Sequence, residues 1–116
     1  MPKTFSRTQR IADVIHRTLA RTLREEFKDP RVGMVTLSEV EVTPDLKLAK
    51  VYFTVLQESK VQETTKILND AAGFFRSQLA KSVSLRYVPR PLFLYDDSVV
   101  RGNRIDSLLR QVNIGE

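Results

Sequence analysis

The chain has 116 residues, no cysteine and a formal net charge of +5. With 41% apolar and 28% charged residues it reads as a folded globular chain, outside the disordered and membrane-embedded classes. The missing cysteine excludes a disulfide framework, a thiolate metal site and a cysteine nucleophile, and suits a reducing, cytoplasmic setting.

The length suits one domain over 1–116, with a core at about 6–97 and a helix or tail over 98–116. Lys3, Arg7 and Arg10 have no apolar stretch behind them, so neither a secretory signal nor a membrane span is expected. Ser6-Arg7-Thr8-Gln9 has the form of a capping box, in which the Ser6 hydroxyl accepts from the Gln9 amide and a long helix follows. Ile11, Ile15, Leu19, Thr22 and Leu23 give that helix its apolar stripe. Arg7, Arg10, Arg17, Arg21 and Arg24 fall on another side of it. Lys28-Asp29-Pro30 is expected to end it, because the residue before a proline is driven out of the helical region.

Met34 to Val42 and Lys47 to Leu56 are rich in β-branched residues. In the second, Ala49, Val51, Phe53 and Val55 share one face, and Lys50, Tyr52 and Thr54 the other. Thr43-Pro44-Asp45-Leu46 between them places proline second in a type I turn, so the two strands form a hairpin. Ser59-Lys60-Val61-Gln62 repeats the capping-box pattern ahead of a stripe of Val61, Leu68, Ala71, Ala72 and Phe75. Gly73 interrupts this stretch. An unbroken helix would set Arg76 among Leu79, Ala80 and Val83, where burial of a charge is costly. Two short helices joined at Ala71-Ala72-Gly73 are therefore expected, with the bend turning Arg76 to solvent.

Leu85 to Tyr95 returns to strand character, and Pro89 and Pro91 imply an edge position or an irregular start. Asp96-Asp97-Ser98 can cap a last helix carrying Ile105, Leu108, Leu109 and Val112. Helix, strand, strand, helix, helix, strand and tail helix make an α+β chain.

The charge is unevenly spread. Residues 1–31 hold eight basic and four acidic side chains, and residues 32–70 hold four basic and six acidic. Residues 71–95 carry Arg76, Lys81, Arg86 and Arg90 and no acid. Two basic blocks around an acidic one suggest a positive surface for an anionic partner, if the fold joins them. Enzymatic signals are weak. Glycines stand alone at 33, 73, 102 and 115, so neither a dinucleotide fingerprint nor a Walker loop can be built. His16 has no partner ligand at metal spacing, Asp96-Asp97 reads as a cap, and Glu25-Glu26 as ion-paired or solvated. No catalytic residue, metal site or cofactor is expected.

The chain resembles the ribosome-binding factor A family. The resemblance rests on Lys28-Asp29-Pro30-Arg31-Val32-Gly33-Met34, on Asp45-Leu46 with Ala49-Lys50-Val51-Tyr52, and on Ala71-Ala72-Gly73-Phe74-Phe75-Arg76-Ser77-Gln78-Leu79. Leu85-Arg86-Tyr87-Val88-Pro89, then Asp96-Asp97-Ser98 with Ile105 to Leu109, complete it. Compared with longer members the sequence stops soon after Leu109. The resemblance implies a type II K-homology-like fold, αββααβ, with a mixed three-stranded sheet, a helix-kink-helix and a short C-terminal helix. It implies a kink of the form Ala-x-Gly where ordinary K-homology domains carry a GXXG loop, here Ala71-Ala72-Gly73. It also implies a non-enzymatic factor that binds the immature small ribosomal subunit and its ribosomal RNA. Such a factor supports late maturation and RNA processing, most of all in the cold.

On that reading Arg76 and Lys81 beyond the kink, Arg86 and Arg90 in the last strand region, and Arg7, Arg10 and Arg31 in the first block are the candidate phosphate contacts. Ala71, Ala72 and Gly73 would let the RNA backbone approach. Tyr87 could stack on an unpaired base or serve the core or a strand edge, whereas Phe53, Phe74 and Phe75 are assigned to the core. A monomer is the default, as no coiled-coil seam is present. The alternatives are a general single-stranded nucleic-acid-binding module and a small RNA-acting enzyme.

Overall fold

A computed structural model describes residues 7–98. The Ser6 capping box and the expected helix over Ile105, Leu108, Leu109 and Val112 lie outside the described residues. Within them the order is α1 (Arg7–Glu25), β1 (Val35–Val42), β2 (Leu48–Val55), a 3-10 turn (Glu58–Lys60), α2 (Val61–Asp70), α3 (Ala72–Ser82) and β3 (Arg90–Tyr95). This is the αββααβ order, and the sheet is mixed. β1 runs antiparallel and β3 parallel to the central β2.

α1 buries Ile11, Ala12, Ile15, Thr18, Leu19 and Thr22; Ala12 and Thr18 join the expected stripe, and Leu23 is only partly buried. The Thr22 hydroxyl satisfies itself in the core by donating to the Thr18 carbonyl at 2.9 Å. The helix ends at Glu25, three residues ahead of the Lys28-Asp29-Pro30 stop. The cause is Phe27. Its N–H and that of Glu26 both reach back to the Thr22 carbonyl, at 2.9 and 2.8 Å, and the Phe27 ring turns onto Phe75, 5.0 Å away. Packing closes the helix before proline can.

The hairpin forms as expected. Ala49, Val51 and Phe53 of β2 are fully buried. The Leu46 N–H closes the turn on the Thr43 carbonyl at 2.8 Å, and Leu46 takes a left-handed φ of 63°. That conformation costs a non-glycine residue about 1–2 kcal/mol. Asp45 offsets it: its carboxylate accepts from the Thr43 hydroxyl (2.7 Å) and the Lys47 N–H (3.0 Å). Leu46 itself packs against the core. One irregularity, a bulge at Ser38, shifts the β1–β2 register between Leu37 and Glu39.

The second capping box does not form. Ser59 sits inside the 3-10 turn, and Lys60 precedes α2 without a side-chain cap. The bend between α2 and α3 is present, but it is made at Ala71 rather than at the glycine. Ala71 has φ −94° and ψ 13°, and its N–H is shared between the Ile67 and Leu68 carbonyls. Gly73 lies in the first turn of α3 with a negative φ, and a Cβ placed there would meet nothing within 4 Å. Nor does the bend turn Arg76 outward. α3 buries Ala72, Phe75 and Leu79, a stripe at three- and four-residue spacing, and Arg76 is exposed because it lies beside that stripe.

β3 begins at Arg90, later than the expected Leu85, and is an edge strand. Arg90 and Asp96 donate their N–H groups toward the β2 side, to Lys47 and Phe53. The backbone N–H and C=O groups of the odd-numbered residues between them therefore point away from β2. Pro91, which has no N–H, occupies one of those positions without breaking the ladder. The core lies between the sheet and the three helices, centred on Leu19, Phe53, Leu68, Phe75 and Phe93.

Candidate nucleic-acid interface

Arg76, Lys81, Arg86 and Arg90 are all exposed, and none is ion-paired among the described residues. The fold links them at two points. Arg76 donates from Nε to the Val88 carbonyl at 3.2 Å, which ties the segment carrying Arg86 and Arg90 to α3. At the far end of α3, Arg21 of α1 donates to the Ser82 hydroxyl at 3.2 Å, next to Lys81. The arginine face of α1 thus meets α3 along one border. Arg21 was visible in the arginine pattern but had no signal tying it to α3; only the packing supplies one.

The first block does not gather into a single patch. Arg7 and Arg10 are exposed at the start of α1, and Arg7 lies about 21 Å along the helix axis from Arg21. Arg7, Arg10 and Arg21 describe a band rather than a pocket. Arg31 stands apart, bound bidentately to Asp29 (Nε–Oδ1 3.1 Å, Nη2–Oδ2 2.7 Å). The pair holds the Asp29 carboxyl below its ordinary range and raises Arg31, with Glu63 and Asp70 adding to the latter. Arg31 lines a cavity of about 290 Å³ with Met34, Leu56, Lys60 and Thr64, on the α2 side.

At the bend, Gly73 is exposed, Ala71 half-buried and Ala72 buried. What Ala72 can offer a ligand is its backbone. Tyr87 is 68% exposed, which leaves its ring open for stacking. Phe53 and Phe75 are core as expected, whereas Phe74 is exposed, one step off the buried stripe, against Phe27 and Phe75 at 6.0 and 5.3 Å. His16 is held by hydrogen bonding between Nε2 and the Leu37 carbonyl at 3.1 Å. Among the described residues no group of three or more His, Asp or Glu side chains could hold a metal ion. No helix among them is long and apolar enough to cross a membrane.

An exposed, acid-free basic run on an αββααβ scaffold narrows the family, and comparison with known proteins decides it. The model of a family described as ribosome-binding factor A matches residues 7–109. The chain belongs to the ribosome-binding factor A family. It is 52% identical over 110 residues to ribosome-binding factor A of Thioalkalivibrio sulfidiphilus, covering 94% of this chain and 85% of that one. Among solved structures it is similar to the solution structure of a Thermotoga maritima protein described as a ribosome binding factor A. The TM-score is 0.70 at 33% identity, over 80% of this chain and 91% of that one. It is also similar to a homology model of Thermus thermophilus ribosome binding factor A fitted into a cryo-EM map of its complex with the 30S subunit. There the TM-score is 0.63 at 26% identity, over 74% and 91% of the two chains. The fold is the type II K-homology-like one of ribosome-binding factor A structures.

Proposed function

We propose that this chain binds the immature small ribosomal subunit in the cytoplasm, as a monomer, through its ribosomal RNA. There it supports late maturation and RNA processing, with the greatest demand in the cold, when RNA misfolds readily. It acts by binding rather than by catalysis. The observation that carries the reading is the run 71–95: four cations, no acid, every cation exposed and without an ion pair among the described residues. A ribosome-binding relative seated on a 30S subunit supports the choice of particle.

RNA phosphates condense counterions, and each one neutralised by Lys or Arg releases them, so affinity falls with salt. Without a GXXG loop, recognition rests on shape and charge rather than on base sequence. Arg76 and Lys81 of α3 and Arg86 and Arg90 beyond it are the primary contacts. Arg7 and Arg10 extend the surface along α1, Arg31 is a separate contact, and Ala71-Ala72-Gly73 allow close approach of the backbone. Tyr87 is the observation that favours a second reading, general single-stranded binding, because an exposed ring stacks on any base.

Co-sedimentation with precursor small subunits at low salt tests the proposal, with free RNA as competitor. Migration with the particle, lost on charge reversal of Arg76, Lys81 and Arg86, is the expected result. Equal affinity for free single-stranded RNA would favour the second reading, and failure to migrate with the particle would overturn the first.

A further inference from the structure

The two edges of the sheet are finished differently. On β3 the outward side is closed, by Pro91 and by the Asn69 side chain, which bonds both backbone groups of Phe93. On β1 the outward backbone accepts one side-chain hydrogen bond among the described residues, where His16 meets the Leu37 carbonyl. Between that point and the hairpin turn lies a cavity of about 260 Å³, walled by Thr8, Gln9 and Ala12 of α1 and by Glu39–Val42 of β1.

The backbone at this edge is oriented for pairing. Thr43 donates its N–H to the Leu48 carbonyl at 2.9 Å, while the Leu48 N–H donates to the Thr43 hydroxyl at 3.1 Å, so the Thr43 N–H points toward β2. Antiparallel ladders alternate, and the Val42–Ala49 and Val40–Val51 pairs are then the non-bonded kind. The N–H and C=O groups of Val40 and Val42 therefore point away from β2. No hydrogen bond to them is found among the described residues.

The side chains around these groups are sorted by face. Val42 is buried and Val40 packs on the core, while Glu39 and Glu41 are exposed on the opposite face. Among the described residues neither glutamate has an ion pair within 4.0 Å, although Glu41 is paired in register with Lys50. Asp13 of α1, one helical turn after Gln9, adds a third exposed carboxylate, also without an ion pair among the described residues. On a chain of net charge +5 this is a local reversal of sign.

We propose that the β1 edge over Glu39–Val42 takes up an extended segment of a partner protein in which apolar residues alternate with Lys or Arg. Such a segment would add as a fourth strand, satisfying the outward groups of Val40 and Val42. Its apolar side chains would enter the cavity against Ala12, Val40 and Val42. Its basic side chains, on the other face, would lie beside Glu39 and Glu41, where opposite charges across strands stabilise pairing. A second copy of this chain fits poorly, because antiparallel β1–β1 pairing would bring Glu39 and Glu41 together. RNA fits poorly as well, since its phosphates would meet two carboxylates, and no cation among the described residues lines the cavity.

The test uses the full ¹⁵N-labelled chain and a synthetic decapeptide of alternating valine and lysine. The expected result is slowed amide exchange and shifted resonances at Val40 and Val42. Affinity should fall at least tenfold in Glu39→Lys/Glu41→Lys, or in Glu39→Gln/Glu41→Gln if the first variant misfolds. Protection should vanish for a peptide N-methylated at its central residues. Charge reversal at Arg76, Lys81 and Arg86 should leave peptide binding intact, which separates this surface from the RNA-binding one. Equal binding of a valine–glutamate peptide would overturn the proposal. So would unchanged exchange at Val40 and Val42, the same amides answering to a uridine oligomer, or β1-mediated dimerisation.

Discussion

The carboxamide of Asn69 stands against the backbone of Phe93 as a strand would. Its Oδ1 accepts from the Phe93 N–H at 2.8 Å, and its Nδ2 donates to the Phe93 carbonyl at 3.0 Å and to Thr65 at 3.1 Å. One side chain at the end of α2 thus fixes the helix to the middle of β3. Asn69→Ala leaves a partly buried N–H and C=O without partners. The expected loss is about 1–3 kcal/mol of stability, read as a lower urea midpoint at unchanged slope. Asn69→Asp keeps the acceptor for the Phe93 N–H but sets a carboxylate oxygen against the Phe93 and Thr65 carbonyls, and should cost at least as much as the alanine variant at neutral pH.

Gly73→Ala separates stability from binding. The φ is negative and the added methyl meets nothing, so the helix should gain up to about 1 kcal/mol. If bare backbone at this exposed position lets RNA approach, affinity for precursor subunits should fall while the melting temperature rises. A rise in both would remove Gly73 from the binding surface.

The neighbouring phenylalanines should behave unequally. Phe75 is fully buried and touches Phe27 and Phe93, so Phe75→Ala is expected to cost about 3–5 kcal/mol. Phe74 is 37% exposed. Its truncation should cost roughly 1–2 kcal/mol, the share of a side chain half withdrawn from water. Parallel thermal melts of the two variants give the comparison.

Acid should loosen the hairpin turn. Hydrogen bonds from the Thr43 hydroxyl and then the Lys47 N–H hold the Asp45 carboxyl below its ordinary value of 3.8. A carboxyl depressed on folding stabilises above its unfolded pKa, and that contribution fades as pH falls through the lower, folded value. A carbon-detected titration should place the Asp45 midpoint under 3.8, and Thr43→Val should move it upward.

Features set by local period were legible in the sequence. The alternation of Ala49, Val51 and Phe53 fixed the inner face of β2, and the spacing of Ile11, Ile15 and Leu19 that of α1, because each pattern already has the period of its element. Features made by one element meeting another were not. Asn69 reads as an ordinary polar residue until β3 lies beside it. Ser59 satisfies a capping pattern, but the chain enters α2 through a 3-10 turn. Phe27 ends α1 ahead of the proline because an aromatic cluster waits for it, and Phe74, one position off the buried Ala72, Phe75 and Leu79, rests against the rings of Phe27 and Phe75. Of the candidate site, the cations of 71–95 could be named beforehand. Their connection through Val88, and Arg21's through Ser82, depends on folded contacts.

The parallel pairing of β2 with β3 also sets an order of events. β1 and β2 are neighbours in sequence and can zip from the turn at Asp45, a short and inexpensive closure. β3 can dock only after α2 and α3 have carried the chain back across the sheet, and non-local pairing of this kind is slow. During synthesis the helices must therefore wait beside a two-stranded ribbon. Phe53 gains its T-shaped neighbour Tyr95, 6.0 Å away, only once the growing chain has been extended past that residue.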